Sequence, residues 1–349
     1  MTKRFLLIVG ALAVLLALPT LAGATIAFTK LVKNLPANST IYVYTHDEGH
    51  PATTVALNVK GAQPTISPNG KIVAYNYTDS SHNSTLHFVT IATNVDVATN
   101  VSCGYPIWAP NSSAVACAGF PIEIVTPTGT STFLAKTASS DGISVAWSPD
   151  SSKVAWVANI QSANPKQPSK MKLRAVNVDG TGAVIKLGSG VNPVWGPKQI
   201  AYAVTAGWGN NSSTNTWTVN PDTNNSSTAT QVTHFKGMIG SGPSPLMWTP
   251  NGKIILGEID MEDQAPTPVS INAATGKITK LGPSGNELTG GSPIAASSDS
   301  SSALVLFASN VMMGIKPTGT VRTVSLSTGK STLFMNNVSY MSASADWRP

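Results

Sequence analysis

The stretch Trp147-Ser148-Pro149-Asp150-Ser151-Ser152-Lys153-Val154-Ala155-Trp156 joins two short apolar runs through a tight turn. Proline presets the backbone angle that a turn needs at its second position, and Ser and Asp bond back to nearby backbone groups. Worn copies stand at Ile66-Ser67-Pro68-Asn69-Gly70, Trp108-Ala109-Pro110-Asn111, Trp195-Gly196-Pro197-Lys198, Trp248-Thr249-Pro250-Asn251-Gly252 and Ala296-Ser297-Ser298-Asp299, and the last is Trp347-Arg348-Pro349. From position 66 the steps between copies are 42, 39, 48, 53, 48 and 51 residues, close to the length of a four-stranded propeller blade.

Around residue 147 the whole unit can be read. Val145 to Trp147, Lys153 to Ala158, Met171 to Val178 and Ala183 to Leu187 are apolar or alternating runs separated by turn residues, which predicts four antiparallel strands. The seventh copy ends the chain with no unit after it, while Thr25 to Thr29, Ile41 to Tyr44 and Thr54 to Val59 resemble second, third and fourth strands that lack a first. The expected fold is therefore all-β, a seven-bladed β-propeller of four-stranded antiparallel blades with the closing blade built from both chain ends. Six blades is the alternative count. Closure of this kind hides the sheet edges that would otherwise pair with other chains. The repeated Trp is expected to pack between neighbouring sheets, where a large flat side chain fills the wedge.

The chain has 349 residues, 42% hydrophobic and only 11% charged. Residues 3–24 carry Lys3-Arg4, an apolar run and the small-residue site Ala22-Gly23-Ala24, the three parts of a secretory signal. A signal peptide over 1–24, or an uncleaved membrane anchor, followed by one propeller domain over 25–349, is the expected organisation. Either form places the domain outside the cytoplasm: secreted, periplasmic or at the cell surface. The only cysteines, Cys103 and Cys117, flank the second turn, so antiparallel pairing brings them together and export favours a disulfide. Ten Asn-x-Ser/Thr sequons are present, acceptors only where a host glycosylates exported proteins.

Trp147-Ser148-Pro149-Asp150, Lys153-Val154-Ala155-Trp156 and the downstream Val176-Asn177-Val178-Asp179-Gly180 resemble the repeat of TolB-type propellers, a WD40-like arrangement. The resemblance covers nearly all of residues 25–349. It implies the propeller alone: the α/β domain that TolB carries ahead of its repeats is not expected here, nor is the hydrolase domain that follows the same repeat in prolyl-oligopeptidase-like peptidases. The Tol-Pal role is not implied.

Formal net charge is +6, and +4 without Lys3 and Arg4. Nucleic-acid binding needs a dense basic stripe; Lys166, Lys170, Lys172 and Arg174 form the one cluster, read as a solvated face. His46-Asp47-Glu48-Gly49-His50 cannot form the helix that a His-Glu-x-x-His zinc site requires and reads as a hairpin turn. Glu258, Asp260 and Glu262 alternate beyond the strand at 254–256, the best set for a metal, with Ca²⁺ the ion such oxygens suit. The loops that enter the innermost strands offer Gln63, Tyr105, Asp141, Asn192, Glu287 and Tyr340 as a polar channel mouth for binding. Two acids without a histidine make a poor acid/base pair, and no Gly-x-Ser-x-Gly turn occurs. The expectation is an exported, non-enzymatic binding or scaffold module for an envelope or extracellular partner, protein or glycan, with no cofactor. Its alternatives are a calcium-dependent propeller hydrolase, lactonase or lyase, and a structural cell-surface or filament subunit.

Overall fold

In the computed structural model the described residues are 24–29, 38–46, 52–119, 121–134, 141–160, 170–207, 212–222, 228–236, 242–261, 264–282, 290–309, 318–338 and 343–347. The signal or anchor segment lies outside them. The strands are β1 (Ala24–Thr29), β2 (Ser39–His46), β3 (Thr53–Ile66), β4 (Ile72–Thr78), β5 (Ser84–Thr90), β6 (Asp96–Ala98), β7 (Pro106–Trp108), β8 (Val115–Cys117), β9 (Glu123–Val125), β10 (Ser131–Phe133), β11 (Asp141–Trp147), β12 (Lys153–Ile160), β13 (Lys170–Asn177) and β14 (Ile185–Ser189). They continue as β15 (Val191–Trp195), β16 (Ile200–Ala206), β17 (Ser213–Val219), β18 (Thr230–Gln231), β19 (Gly242–Trp248), β20 (Ile254–Met261), β21 (Gln264–Asn272), β22 (Ile278–Lys280), β23 (Gly290–Ala296), β24 (Ser302–Ser309), β25 (Thr318–Ser325), β26 (Ser331–Val338) and β27 (Ala343–Trp347).

They pair into six antiparallel sheets. Five are four-stranded blades, β7 to β10, β11 to β14, β15 to β18, β19 to β22 and β23 to β26, and the sixth runs β27-β1-β2-β3-β4-β5-β6. The sixth holds two four-stranded arrays, because the long β3 pairs with β2 up to Gly61 and with β4 from Ala62 onward. Counted as separate sheets the ring has six members, the smaller of the two counts open from sequence. The seventh repeat has not lost its strands; an uninterrupted β3 fuses its array to the next. The C-terminal β27 pairs with β1, Ala24 opposite Trp347 and Phe28 opposite Ala343, so both chain ends share one array as expected.

The buried side chains form clusters that each span two consecutive arrays. One joins Ile122 and Leu134 to Val154 and Trp156, another joins Leu173 and Leu187 to Ile200 and Val219, and the one at the closure joins Ile26 and Phe28 to Leu304 and Val321. Two faces of each sheet are therefore covered, and no array has a core of its own. At roughly 25 cal/mol per Å² of apolar surface removed from water, this face-to-face burial is the main favourable contribution to the fold.

The repeated turn explains how the arrays are held in step. Ser67 N–H donates to the Ile72 carbonyl at 2.8 Å, its hydroxyl accepts from Ile72 N–H at 3.0 Å and donates to Asn69 Oδ1 at 2.8 Å. Ser148 repeats the pattern with Lys153 and Asp150, Thr249 with Ile254 and Asn251, and Ser297 with Ser302 and Asp299. A left-handed residue completes each turn: Gly70, Ser112, Ser151, Gly252 and Ser300 have φ between 59° and 66°. Serine is a costly choice there, because a Cβ disfavours that conformation. Its reason is the neighbouring blade: Ser112 Oγ accepts from Asn69 N–H at 2.9 Å, Ser151 Oγ from Asn111 N–H at 3.1 Å and Ser300 Oγ from Asn251 N–H at 3.1 Å.

Indole groups make a second tie. Trp108 Nε1–H donates to the Thr65 carbonyl at 3.0 Å, Trp147 to Ile107 at 2.8 Å and Trp248 to Val194 at 3.1 Å, each reaching the first strand of the preceding array. This is the between-sheet role expected of the repeated Trp.

Two stability outcomes follow from the turns. Ser112→Ala keeps the strained backbone and orphans Asn69 N–H, so urea unfolding should show a loss of about 1–2 kcal/mol, whereas Ser112→Gly, which relaxes the backbone, should lose less than about half of that. Asp150 is held down to about 2, first by the Ser148 hydroxyl and then by Ser152; Asp299 is lowered in the same way, chiefly by Ser297. A depressed folded pKa means that the stabilisation is complete above the unfolded value near ~4 and is lost as pH falls toward ~2. Asn69 and Asn251 fill the same position with an amide oxygen, so the Asp150→Asn/Asp299→Asn variant should fold normally at pH 7 and show a smaller drop in Tm than the parent between pH 6 and pH 2.5.

Candidate functional site

The first strands of successive arrays, β7, β11, β15 and β19, pack on one another around the centre of the ring. Along these strands and their Trp-x-Pro turns lies an open concavity of about 810 Å³. Trp108, Trp147, Trp195 and Trp248 line it with Pro110, Pro149, Pro197 and Pro250, and Ile107, Val145, Val194, Leu246 and Met247 complete the apolar surface. The four prolines are exposed and Trp195 and Trp248 are half-buried. Ser144, Asn192 and Thr249 are its polar members, and no charged side chain lines it among the described residues.

Local sequence builds this wall. Five first strands, though not β7, carry an irregularity at one level, between Ala62 and Thr65, Gly142 and Val145, Val191 and Val194, Pro245 and Met247, and Pro293 and Ala295. Such a bulge turns an extra residue out of the ladder. At Asn192 and Gln63 the backbone takes φ of 52°; at β19 the extra residue is Leu246, on the cavity wall. The fourth marker reads Trp-Gly-Pro because a Cβ on Gly196 would stand 2.6 Å from the Trp248 ring. The indole lies directly on that backbone. Trp108 and Trp147 are buried and Trp248 half-buried; with their N–H groups committed to carbonyls, what these rings present is apolar.

Of the residues expected at the channel mouth, Gln63, Tyr105, Asp141 and Asn192 belong to the described residues. Asn192 lies in the cavity wall, its amide donating to Ser244 Oγ at 3.1 Å. Gln63 sits at the equivalent bulge but accepts from Asn76 Nδ2 at 2.8 Å. Tyr105 is 68% exposed beside Pro106, and Asp141 opens β11. Glu287 and Tyr340 fall outside the described residues. The concavity runs from Asn192 and Pro245 along the first strands to their Trp-x-Pro turns, so the turn motif is also part of a lining.

Glu258 and Asp260 belong to β20, which runs on to Met261, with Glu258 opposite Ser244 and Asp260 opposite Gly242. Pairing on both sides of β20 extends the strand past the point where alternation of apolar residues ends. Glu258 Oε2 accepts from Ser292 Oγ of the next blade at 2.6 Å. Glu262 is outside the described residues, as are residues 47–50 of the histidine-containing turn, and no group of three metal-ligating side chains occurs among those described. Lys170, Lys172 and Arg174 lie on β13, where Lys172 Nζ donates to Ser189 Oγ at 2.8 Å. Cys103 and Cys117 are bonded and buried against Trp108 and Phe88. They stand 14 positions apart in sequence, so reduction should lower stability by about 3 kcal/mol in urea unfolding.

One cluster had no sequence signal. His87 Nδ1 is 2.9 Å from Asp96 Oδ2 and His87 Nε2 is 3.3 Å from Thr85 Oγ1, while Tyr75 donates to Asp96 Oδ1 at 2.9 Å. Burial, then Asp96, raises the Tyr75 pKa far above the usual phenol value. The group ties β4, β5 and β6 together across one face.

No family model matches the sequence, and no curated protein matches it. Solved structures do. TolB from Acinetobacter baumannii aligns at TM-score 0.52 and 13% identity over 93% of this chain and 67% of its own. A prolyl endopeptidase aligns at TM-score 0.54 and 14% identity over 94% of this chain and 50% of its own. Oligogalacturonate lyase from Vibrio parahaemolyticus aligns at TM-score 0.58 and 11% identity over 89% of this chain and 84% of its own. The chain thus spans half of the peptidase and about two thirds of TolB. At these identities the likeness is one of fold, and in fold the chain is a TolB-like β-propeller.

Proposed function

We propose that the protein is an exported, non-enzymatic binding and scaffold module, and that its central Trp-Pro cavity takes an apolar, extended segment of a protein partner in the envelope or extracellular space. One observation carries this reading: a concave surface of about 810 Å³ lined by four indoles, of which Trp195 and Trp248 are half-buried, and by four exposed prolines, within the size range of ligand sites. Aromatic and proline-lined grooves suit proline-rich segments, which lose little entropy on binding. A glycan needs many polar contacts, and the wall has three polar members, so a protein segment fits it better. The buried disulfide supports an oxidising compartment.

A displayed library of proline- and leucine-rich decapeptides tests the reading, with tryptophan fluorescence of the purified protein as readout. Enriched peptides should bind saturably and shift the emission. Leu246→Glu puts a charge on the wall at a bulge residue without removing a hydrogen bond, so it should weaken binding by about tenfold or more at unchanged Tm. A library without a saturable binder, or equal binding by that variant, overturns the proposal.

A further inference from the structure

We infer a second site, for an acidic saccharide, in the cleft between the blades β19 to β22 and β23 to β26. The cleft has a volume of about 800 Å³ and is lined by Arg322, Lys280 and Lys330. No carboxylate lines it among the described residues. Arg322, half-buried on β25, is anchored by its Nε–H to Ser331 Oγ at 3.0 Å and by Nη2 to the Ser331 carbonyl at 3.5 Å. These bonds hold the guanidinium plane in place, and its remaining N–H groups have no partner among the described residues. A pre-positioned fork of that kind matches a carboxylate or sulfate in two-point fashion. Lys280 and Lys330 stand exposed on the two sides of the cleft, where the turn before β26, with Gly329 at φ 70°, lies beside the Lys280 carbonyl.

The rest of the wall selects the class of anion. Hydroxyls of Thr267, Thr279 and Thr332 are distributed along it, while Phe307 is only 4% exposed and offers no stacking platform. Such a wall exchanges hydrogen bonds with a ligand rich in hydroxyls. The volume exceeds what an inorganic oxyanion fills and lies within the ~300–1,000 Å³ range of small-molecule sites. A sugar that carries carboxylate or sulfate satisfies both the cations and the hydroxyls. The site is independent of the Trp-Pro cavity.

Calorimetric titration of the full chain tests it with three probes: a hyaluronan tetrasaccharide, neutral maltotetraose and sodium sulfate. The acidic tetrasaccharide should bind saturably, with affinity that falls as salt rises, and maltotetraose should not bind. Lys280→Gln/Lys330→Gln, two exposed changes that leave the fold intact, should weaken binding by several-fold, and Arg322→Lys, which keeps the charge but not the fork, by about tenfold. Leu246→Glu should leave it unchanged. Sulfate binding as tightly as the tetrasaccharide, maltotetraose binding equally well, unaltered affinity in both basic-residue variants, or no saturable binding of the tetrasaccharide would each overturn the assignment.

Discussion

Neighbouring arrays in this ring are tied by a bond that runs from an indole N–H to a backbone carbonyl one array back. Sheet packing alone is non-directional, since apolar burial follows area and tolerates sliding. The Trp108, Trp147 and Trp248 bonds remove that freedom by fixing which residue of one first strand faces which residue of the next. The serine bonds at positions 112, 151 and 300 do the same a few residues further on. Both ties come from the repeated turn, so one short phrase sets strand pairing within an array and register between arrays.

The cavity is a by-product of this arrangement. Three of the four indoles on its wall reach toward their preceding neighbours, and the proline that follows each turn position stands at the rim. Gly196 shows how closely the two requirements are joined, because the Trp248 ring occupies the space of its absent side chain. A substitution that disturbs the inter-array tie therefore also reshapes the wall. For this reason Leu246, which belongs to the bulge and not to the tie, is the residue through which the cavity can be altered alone.

The relatives in fold include a TolB, a peptidase propeller and a lyase. Such a spread of chemistry on one architecture means that function resides in what is grafted on the ring. Here two concave surfaces of similar size have opposite character: the central one is apolar and uncharged, the one between β19 to β22 and β23 to β26 is basic and rich in hydroxyls. They lie at different radii of the ring and call for different ligands.

Strand order, the four-strand unit, the joining of the chain ends and the disulfide were legible from the residues, because turn chemistry and apolar alternation act over a few positions and repeat. That Glu258 and Asp260 lie within a strand was not legible, because the apolar run ends at Leu256 while pairing with β19 and β21 carries β20 to Met261. Whether β3 would break into two strands was equally beyond a local pattern, since Gly61 and Ala62 pair with different partners on a continuous backbone. The Tyr75, His87 and Asp96 group joins three strands through residues up to 21 positions apart. Sequence by itself determined the repeating unit and its punctuation, which depend on short-range backbone preferences. Only the tertiary structure decided where the ring is concave and which side chains meet there, because those side chains belong to different arrays and are brought together by packing around a common centre.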